Sequence, residues 1–313
     1  ILRKFTTLDF YNEAIQRKEV MKMAQGIFLG IISQFLFGLL YLFSLWLQPL
    51  SGTDVFAWRM VMMVFGLFLI IFPTVGCRSL SKLVNETLGK DKKHWMLFLL
   101  GTLDAGSQFW LFMWAPVNGE GVNIAMGYFL FPFVMSLLGR IWLIETLSSI
   151  QIIALCIAAC GVAHELWHNQ TFSWSSLWVC LVYPYYYLSR KAMKIPALQG
   201  ITLDVCFIAV PCLIYLIIQE HQFSFVISES RYWYLLPALG LVSAIGLSAN
   251  LKSSQQIPVS VFAVLSYLEP TLLFLIAIFW LNTQVSPSDY FTYVPIWTSL
   301  SWLGVNGLMK KHH

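Results

Sequence analysis

Arg59, Asp104 and Glu269 are ionisable side chains set inside long apolar stretches. A charge at the centre of a membrane helix costs about 2.5–3.5 kcal/mol on insertion scales, so such residues are expected to face a cavity or a partner. Asp104 lies about ten residues into its stretch. Gln108 follows one helical turn later on the same face, beside Ser107 and ahead of Phe112 and Ala115. Trp110 and Trp114 border that polar stripe as candidate aromatic walls. Arg59, about one turn inside its own stretch, is the deep cation available to neutralise Asp104, and a structural Arg59–Asp104 or Arg59–Glu269 pair locking helices is the alternative reading. Glu269 directly precedes Pro270. With one deep cation for two deep acids, Glu269 is expected to lack a partner, which suits it to proton coupling, with Asp104 as the second candidate. Asp204 is expected to be a solvated acid at an inner mouth near Lys191 and Lys194.

Two further features shape a possible binding site. Pro132 and Pro270 interrupt helical stretches and free the carbonyls of Tyr128 and Ser266, and carbonyls at membrane depth need a polar neighbour or water. Tyr128 and Tyr267 flank these kinks, and Tyr186 is a further candidate wall. Aromatic surfaces carrying hydroxyl groups suit a flat or amphiphilic solute. Each of these aromatics also has a plain packing role available to it. Small residues such as Gly101 and Gly240 would let helices approach closely.

The elements that carry these residues are membrane helices. A bilayer core of roughly 30 Å needs about 20 apolar residues of helix. Ten stretches qualify: 26–47, 55–76, 94–115, 121–141, 149–168, 174–191, 201–218, 233–251, 259–281 and 290–308. The fold class predicted is therefore all-α and polytopic. Of the 19 basic residues, all but Arg59 and Arg231 fall before the first stretch, on even-numbered connections, or in the tail. Loops rich in Lys and Arg stay cytoplasmic, so both termini are expected on that side. Only 11% of residues are charged, against roughly a quarter in soluble domains, and mean hydropathy is +0.71. The formal net charge of +4 reflects this sorting by membrane side and gives no indication of nucleic-acid binding. The six cysteines read as small buried hydrophobes, and neither a cofactor nor a metal is expected. No secretory leader is evident, and Phe10–Met23 reads as a short surface helix within an N-terminal segment, 1–25.

The two halves echo one another. Gly127-Tyr-Phe-Leu-Phe-Pro132 and Val264-Leu-Ser-Tyr-Leu-Glu-Pro270 both place a tyrosine before a mid-span proline. Trp142-Leu143 and Trp280-Leu281 follow each proline by ten residues, and Gly161-Val162 and Gly304-Val305 recur near the end of the next stretch. Five spans per half would insert the second copy upside down, which gives repeats of 26–168 and 174–308 with a tail of 309–313. Inverted repeats of this kind recur in secondary transporters, with binding sites near the midplane.

These motifs, with Phe109-Trp-Leu-Phe-Met-Trp-Ala115, Tyr187-Leu-Ser-Arg-Lys191, Gly200-Ile-Thr-Leu-Asp204 and Tyr267-Leu-Glu-Pro-Thr-Leu-Leu-Phe274, make the chain resemble the drug/metabolite transporter superfamily. The likeness is to EamA-type transporters of the RarD family. It implies a ten-helix inverted fold that moves small metabolites or drugs across the inner membrane, with efflux as the implied direction. Glu269 stands where similar proteins usually carry a small residue, and Asn282-Thr-Gln284 where they often carry Gly-Glu.

The expected function is an inner-membrane secondary transporter for a small organic molecule, working in the lipid bilayer as a monomer or homodimer, with proton coupling as a candidate mechanism. Its substrate-binding candidates are Arg59, Asp104, Gln108, Trp110, Trp114, Tyr128, Tyr267 and Glu269. The alternative is a facilitative or uptake carrier for an amino acid or nucleoside-like metabolite. A remote alternative, a membrane metalloprotease, rests on His164, Glu165 and His168, which have zinc-protease spacing without an identifiable third ligand.

Overall fold

The computed structural model describes residues 2–89, 91–144, 148–169 and 173–272, together with 290–291, 294–295, 297–299 and 302. Most of the 290–308 stretch, the end of the 259–281 stretch, Trp280-Leu281, Asn282-Thr-Gln284 and Gly304-Val305 lie outside the described residues. So does the tail.

All regular structure described is helical: α1 (Leu2–Trp46), α2 (Gly52–Thr74), α3 (Arg78–Leu83), α4 (Lys92–Trp114), α5 (Gly121–Trp142) and α6 (Ser149–Asn169). They are followed by α7 (Trp174–Leu177), α8 (Tyr183–Ala192), α9 (Ala197–Ile218), α10 (Glu220–Ser228), α11 (Tyr232–Gln256) and α12 (Val259–Leu265). By length and composition, the segments Arg17–Ser44, Gly52–Thr74, Lys92–Val117, Ala197–Ile218 and Tyr232–Gln256 are long and apolar enough to cross a bilayer. Gly127–Trp142, Ile152–Gly161 and Val259–Leu272 form shorter apolar helices. The protein is thus an all-α polytopic membrane protein. The expected short helix at Phe10–Met23 is instead part of α1, which runs unbroken from Leu2 because no proline or glycine interrupts it before Gly26.

Local sequence explains where the helices begin. Ser51 caps α2 by accepting from the Asp54 amide at 3.2 Å, and the Ser51 amide donates back to Asp54 Oδ2 at 3.1 Å. Tyr215 near the end of α9 donates to Asp54 Oδ1 at 2.9 Å, so these two helix ends lie at the same face of the molecule. Asp91 caps α4 through the His94 amide at 2.8 Å. Between α7 and α8 the chain winds more widely, as a π turn at Trp178–Val182, a feature that often marks functional positions.

On α2, Met60, Met63 and Leu67 are fully buried while Phe65, Leu69 and Phe72 are about two-thirds exposed. Such an outward apolar face suits hydrocarbon rather than water. α11 packs along both α1 and α2, α2 along α9, and α4 against α8 and α9. α5 packs against α8, the π turn and α12. Gly240 makes the α2–α11 contact possible: a Cβ there would lie 2.5 Å from the Met62 carbonyl carbon.

Candidate substrate cavity

The packing of these helices leaves a buried cavity at the centre. It is lined by Gln34 from α1, Arg59 from α2, Gln108 from α4, Tyr128 from α5, Asn250 from α11 and Glu269 beyond α12. Rings of Phe37, Phe109, Phe112, Phe131, Tyr183 and Tyr187 form most of the remaining wall. About 550 Å³ of space lies between the atoms there, part of it open to the surroundings, and only about 40 Å³ can be reached by the centre of a water molecule. That is room for a few waters, so the centre is narrow in this conformation.

Arg59 is only 2% exposed. Its Nε donates to Ser243 Oγ at 2.9 Å, and its guanidinium carbon lies 5.7 Å from the ring centres of both Phe109 and Phe112. Arg59 Nη1, Gln34 Oε1 and both amide atoms of Gln108 are buried without a partner among the described residues. Buried polar groups are ordinarily satisfied, and each orphan costs about 1–3 kcal/mol. Four such atoms on residues that line one cavity mark a place where a polar molecule would be held. Glu269 is 7% exposed and shares the cavity wall with Arg59. No described salt bridge joins Arg59 to either Glu269 or Asp104.

The opposite wall is a hydrogen-bonded chain. Tyr187 donates to Asn250 Oδ1 at 2.7 Å, Asn250 Nδ2 donates to Ser33 Oγ at 3.0 Å, and the Tyr183 and Tyr187 hydroxyls are 2.9 Å apart. Gln34, Tyr183, Tyr187, Asn250 and Ser266 were not singled out as binding residues by sequence. The usable signal was helical spacing: Tyr183 and Tyr187 are one turn apart on α8, and Gln34 and Phe37 share a face of α1.

The proline kinks explain which neighbours reach the centre. Tyr128 precedes Pro132 by four residues and Ser266 precedes Pro270 by four, and both line the cavity. Phe131 and Glu269, each directly before its proline, also line it. The helix gives way to a turn at residues 266–267 and resumes over 268–272, which brings Glu269 inward. Tyr267 sits one residue out of this register. It is fully buried and donates to the Phe129 carbonyl at 3.2 Å, so it braces the two kinked helices and does not line the cavity.

Three other expected residues stand away from the centre. Asp104 Oδ2 accepts from the Tyr186 amide at 3.1 Å, at the start of α8, so Asp104 joins α4 to α8. Trp110 stacks on Trp114 with ring centres 5.0 Å apart and donates to Thr53 Oγ1 at 3.2 Å. It lines an apolar groove between α2, α4 and α9, and Trp114 leans on Trp174.

Asp204 is buried and fully paired rather than solvated at a mouth. Arg190 Nη2 lies 2.6 Å from Asp204 Oδ1 and 2.9 Å from the Phe98 carbonyl. Tyr186 and Thr102 both donate to the same carboxylate, at 2.9 and 2.6 Å. Arg190, counted by sequence as a loop cation, is thus a second deep cation, and Tyr186 serves this cluster. Gly101 admits it, because a Cβ there would lie 2.9 Å from Arg190 Nη1. His164 lies on α6 beside Phe291, 5.4 Å between ring centres. The side chains of Glu165 and His168 lie outside the described residues.

The comparisons with known proteins give the class of this polytopic helical protein. Residues 24–164 match the EamA-like transporter family. An uncharacterized transporter of Haemophilus influenzae is 71% identical over 92% of this chain and 96% of its own. The chloramphenicol-sensitive protein RarD of Pseudomonas aeruginosa is 35% identical over 90% and 93%, and protein RarD of Escherichia coli 24% over 88% and 93%. The chain belongs to the drug/metabolite transporter superfamily, as an EamA-type member among RarD relatives. It is a secondary transporter of small organic molecules across a membrane, not an enzyme. A crystal structure of another protein, 12% identical, superposes with a TM-score of 0.69 over 91% of this chain and 98% of that one. That likeness concerns the fold alone.

Proposed function

We propose that the central cavity is the substrate site of an inner-membrane carrier with ten spans in two inverted five-helix repeats, 26–168 and 174–308. Both termini, the 1–25 segment and the 309–313 tail are cytoplasmic in this reading. The pattern of helix packing supports the repeat. Exchanging each helix for its counterpart in the other half turns the α1–α11 contact into α8–α4, α2–α11 into α9–α4, and α5–α8 into α12–α1, and each of these contacts occurs.

The observation that carries the reading is the shared wall of Arg59, Gln108 and Glu269 inside a ring of aromatics. A guanidinium, a carboxylate and a free amide suit a small polar or zwitterionic solute, and the rings suit an aromatic or amphiphilic part of it. Binding falls to Arg59, Gln108, Tyr128 and Glu269, aided by Gln34 and Asn250. Asp104, Trp110, Trp114 and Tyr267 support the walls. The broken helix before Glu269 and rocking of one half on the other would open the narrow cavity to each side in turn.

Glu269 is the proton-coupling residue and efflux the direction in this reading. Reconstituted into liposomes with a proton gradient, the parent protein is expected to accumulate a transported solute. Glu269→Gln is expected to abolish gradient-driven accumulation while retaining solute exchange. Accumulation by Glu269→Gln equal to the parent's would remove the coupling role. Exchange by the parent without any response to the gradient would favour a facilitative carrier.

A further inference from the structure

A second cleft, separate from the central cavity and sharing none of its lining residues, opens where the middle of α1 meets the ends of α2, α8, α9 and α11. About 820 Å³ of it can be reached by the centre of a water molecule. Lys22, Lys191, Lys194 and Lys252 converge on it, and no acidic residue lines it. Lys191 Nζ is engaged by the Ile257 carbonyl at 2.9 Å, whereas Lys22, Lys194 and Lys252 are exposed and have no acid partner among the described salt bridges.

Lys194 holds its position at some backbone cost. Its φ is +53°, in the left-handed region where glycine or asparagine usually ends a helix, and the Ile195 amide closes α8 on the Arg190 carbonyl at 3.1 Å. A lysine kept there puts its ammonium at the rim of the cleft.

The cleft is graded along the membrane normal. Leu29 follows Lys22 by seven residues on α1, and Ile245 precedes Lys252 by seven on α11. Seven residues of helix span about 10 Å. Leu29 is therefore about 10 Å deeper than Lys22, and Ile245 about 10 Å deeper than Lys252, where Ile70 of α2 joins it. α1 and α11 run antiparallel with Gly30 against Ser253, so Leu29 stands level with Lys252. Between Ile245 and Lys252 on α11, Ser248 Oγ is buried without a partner among the described residues. Cations outermost, an unused hydroxyl beneath them and hydrocarbon below that match the order of groups in a phospholipid.

We propose that this cleft binds an anionic phospholipid from the adjoining leaflet. The phosphate sits among Lys22, Lys194 and Lys252, an ester carbonyl accepts from Ser248, and the acyl chains lie on Ile70 and Ile245. Basic recesses between membrane helices are suited to such headgroups, because each Lys near the surface adds attraction for anionic lipid.

Native mass spectrometry of the full chain in detergent tests this with added phosphatidylglycerol, phosphatidylcholine or soluble glycerol phosphate. Phosphatidylglycerol is expected to be retained at concentrations about tenfold or more below those needed for phosphatidylcholine. Soluble glycerol phosphate at equal concentration is expected not to displace it. The Lys22→Gln/Lys194→Gln/Lys252→Gln variant is expected to lose the preference, and the corresponding triple arginine variant to keep it. Equal retention of the two lipids by the parent protein, a comparison that needs no variant, would overturn the proposal. So would an unchanged preference in the glutamine variant, or displacement by glycerol phosphate, which would mark a site for soluble phosphate instead.

Discussion

At the scale of single residues, the two buried cations have different work. Each keeps one nitrogen unpartnered among the described residues, but Arg59 lines the cavity with only Ser243 as a hydrogen-bond partner, whereas Arg190 is paired with Asp204 and also held by the Phe98 carbonyl and Thr102, with its guanidinium carbon 4.1 Å from the Phe98 ring centre. Removing one member of a buried pair leaves the other charge uncompensated, at a cost of about 3–5 kcal/mol. Asp204→Ala is therefore expected to lower the melting temperature in detergent severely. The double variant Arg190→Met/Asp204→Leu should recover much of the loss, because no orphan charge remains. Outside the membrane, hydrogen bonds from the His94 ring and amide to Asp91 hold its carboxyl below the usual range. A depressed carboxyl contributes stability at neutral pH, and that contribution fades as pH falls through its folded-state pKa. Asp91→Ala is accordingly expected to melt slightly earlier than the parent at neutral pH, with the gap closing in acid. A gap independent of pH would contradict this assignment.

At the scale of elements, close helix approach and helix interruption do separate jobs. α2 and α11 meet backbone to backbone at Gly240, where an added carbon would lie 2.5–2.6 Å from Met62 atoms, two of them backbone. Helix backbone yields little, so Gly240→Ala is expected to cost roughly 1–3 kcal/mol through overpacking. Gly246→Ala is the matched control. Its new carbon would lie 3.3 Å from Leu36 Cβ, and its cost should be distinctly smaller in the same thermal assay. The proline-interrupted helices were visible in sequence, and Tyr128 and Glu269 were named beside them, but Tyr267 falls outside the cavity lining. Tyrosines beside the prolines drew attention to Tyr128 and Tyr267. The positions that reach the cavity are instead four residues and one residue before each proline: Tyr128 and Phe131 on one helix, Ser266 and Glu269 on the other. The Pro132 helix thus supplies aromatic surface there and the Pro270 segment supplies polar groups.

At the scale of the whole molecule, the arrangement of lysines and arginines makes a testable statement about orientation. With native cysteines replaced, a single cysteine at Ser81 on α3 is expected to react with an impermeant maleimide only from the cytoplasmic side. One at Ser228, at the end of α10, is expected to react only from the opposite side. Labelling of both from one side would break the proposed alternation. The cavity draws on α1, α2, α4 and α5 and on α8, α11 and residues 266 and 269, and apart from Arg59 of α2 these are counterparts under the proposed inverted pairing.

Solvent class and element type followed from composition and span length alone, because a bilayer demands about 20 apolar residues per helix wherever they fall in the chain. The presence of Arg59, Gln108 and Glu269 as buried polar groups was equally legible, since hydrocarbon tolerates such side chains only where something receives them. Partner choice was not. Whether Asp104 meets Arg59 or the Tyr186 amide, and whether Arg190 belongs to a loop or to a buried ion pair, depends on helix rotation and on contacts between residues far apart in sequence. Periodicity within one helix carries no information about what stands across from it. Only the packed bundle, with its glycine contacts and broken helices, decided which polar groups share one cavity.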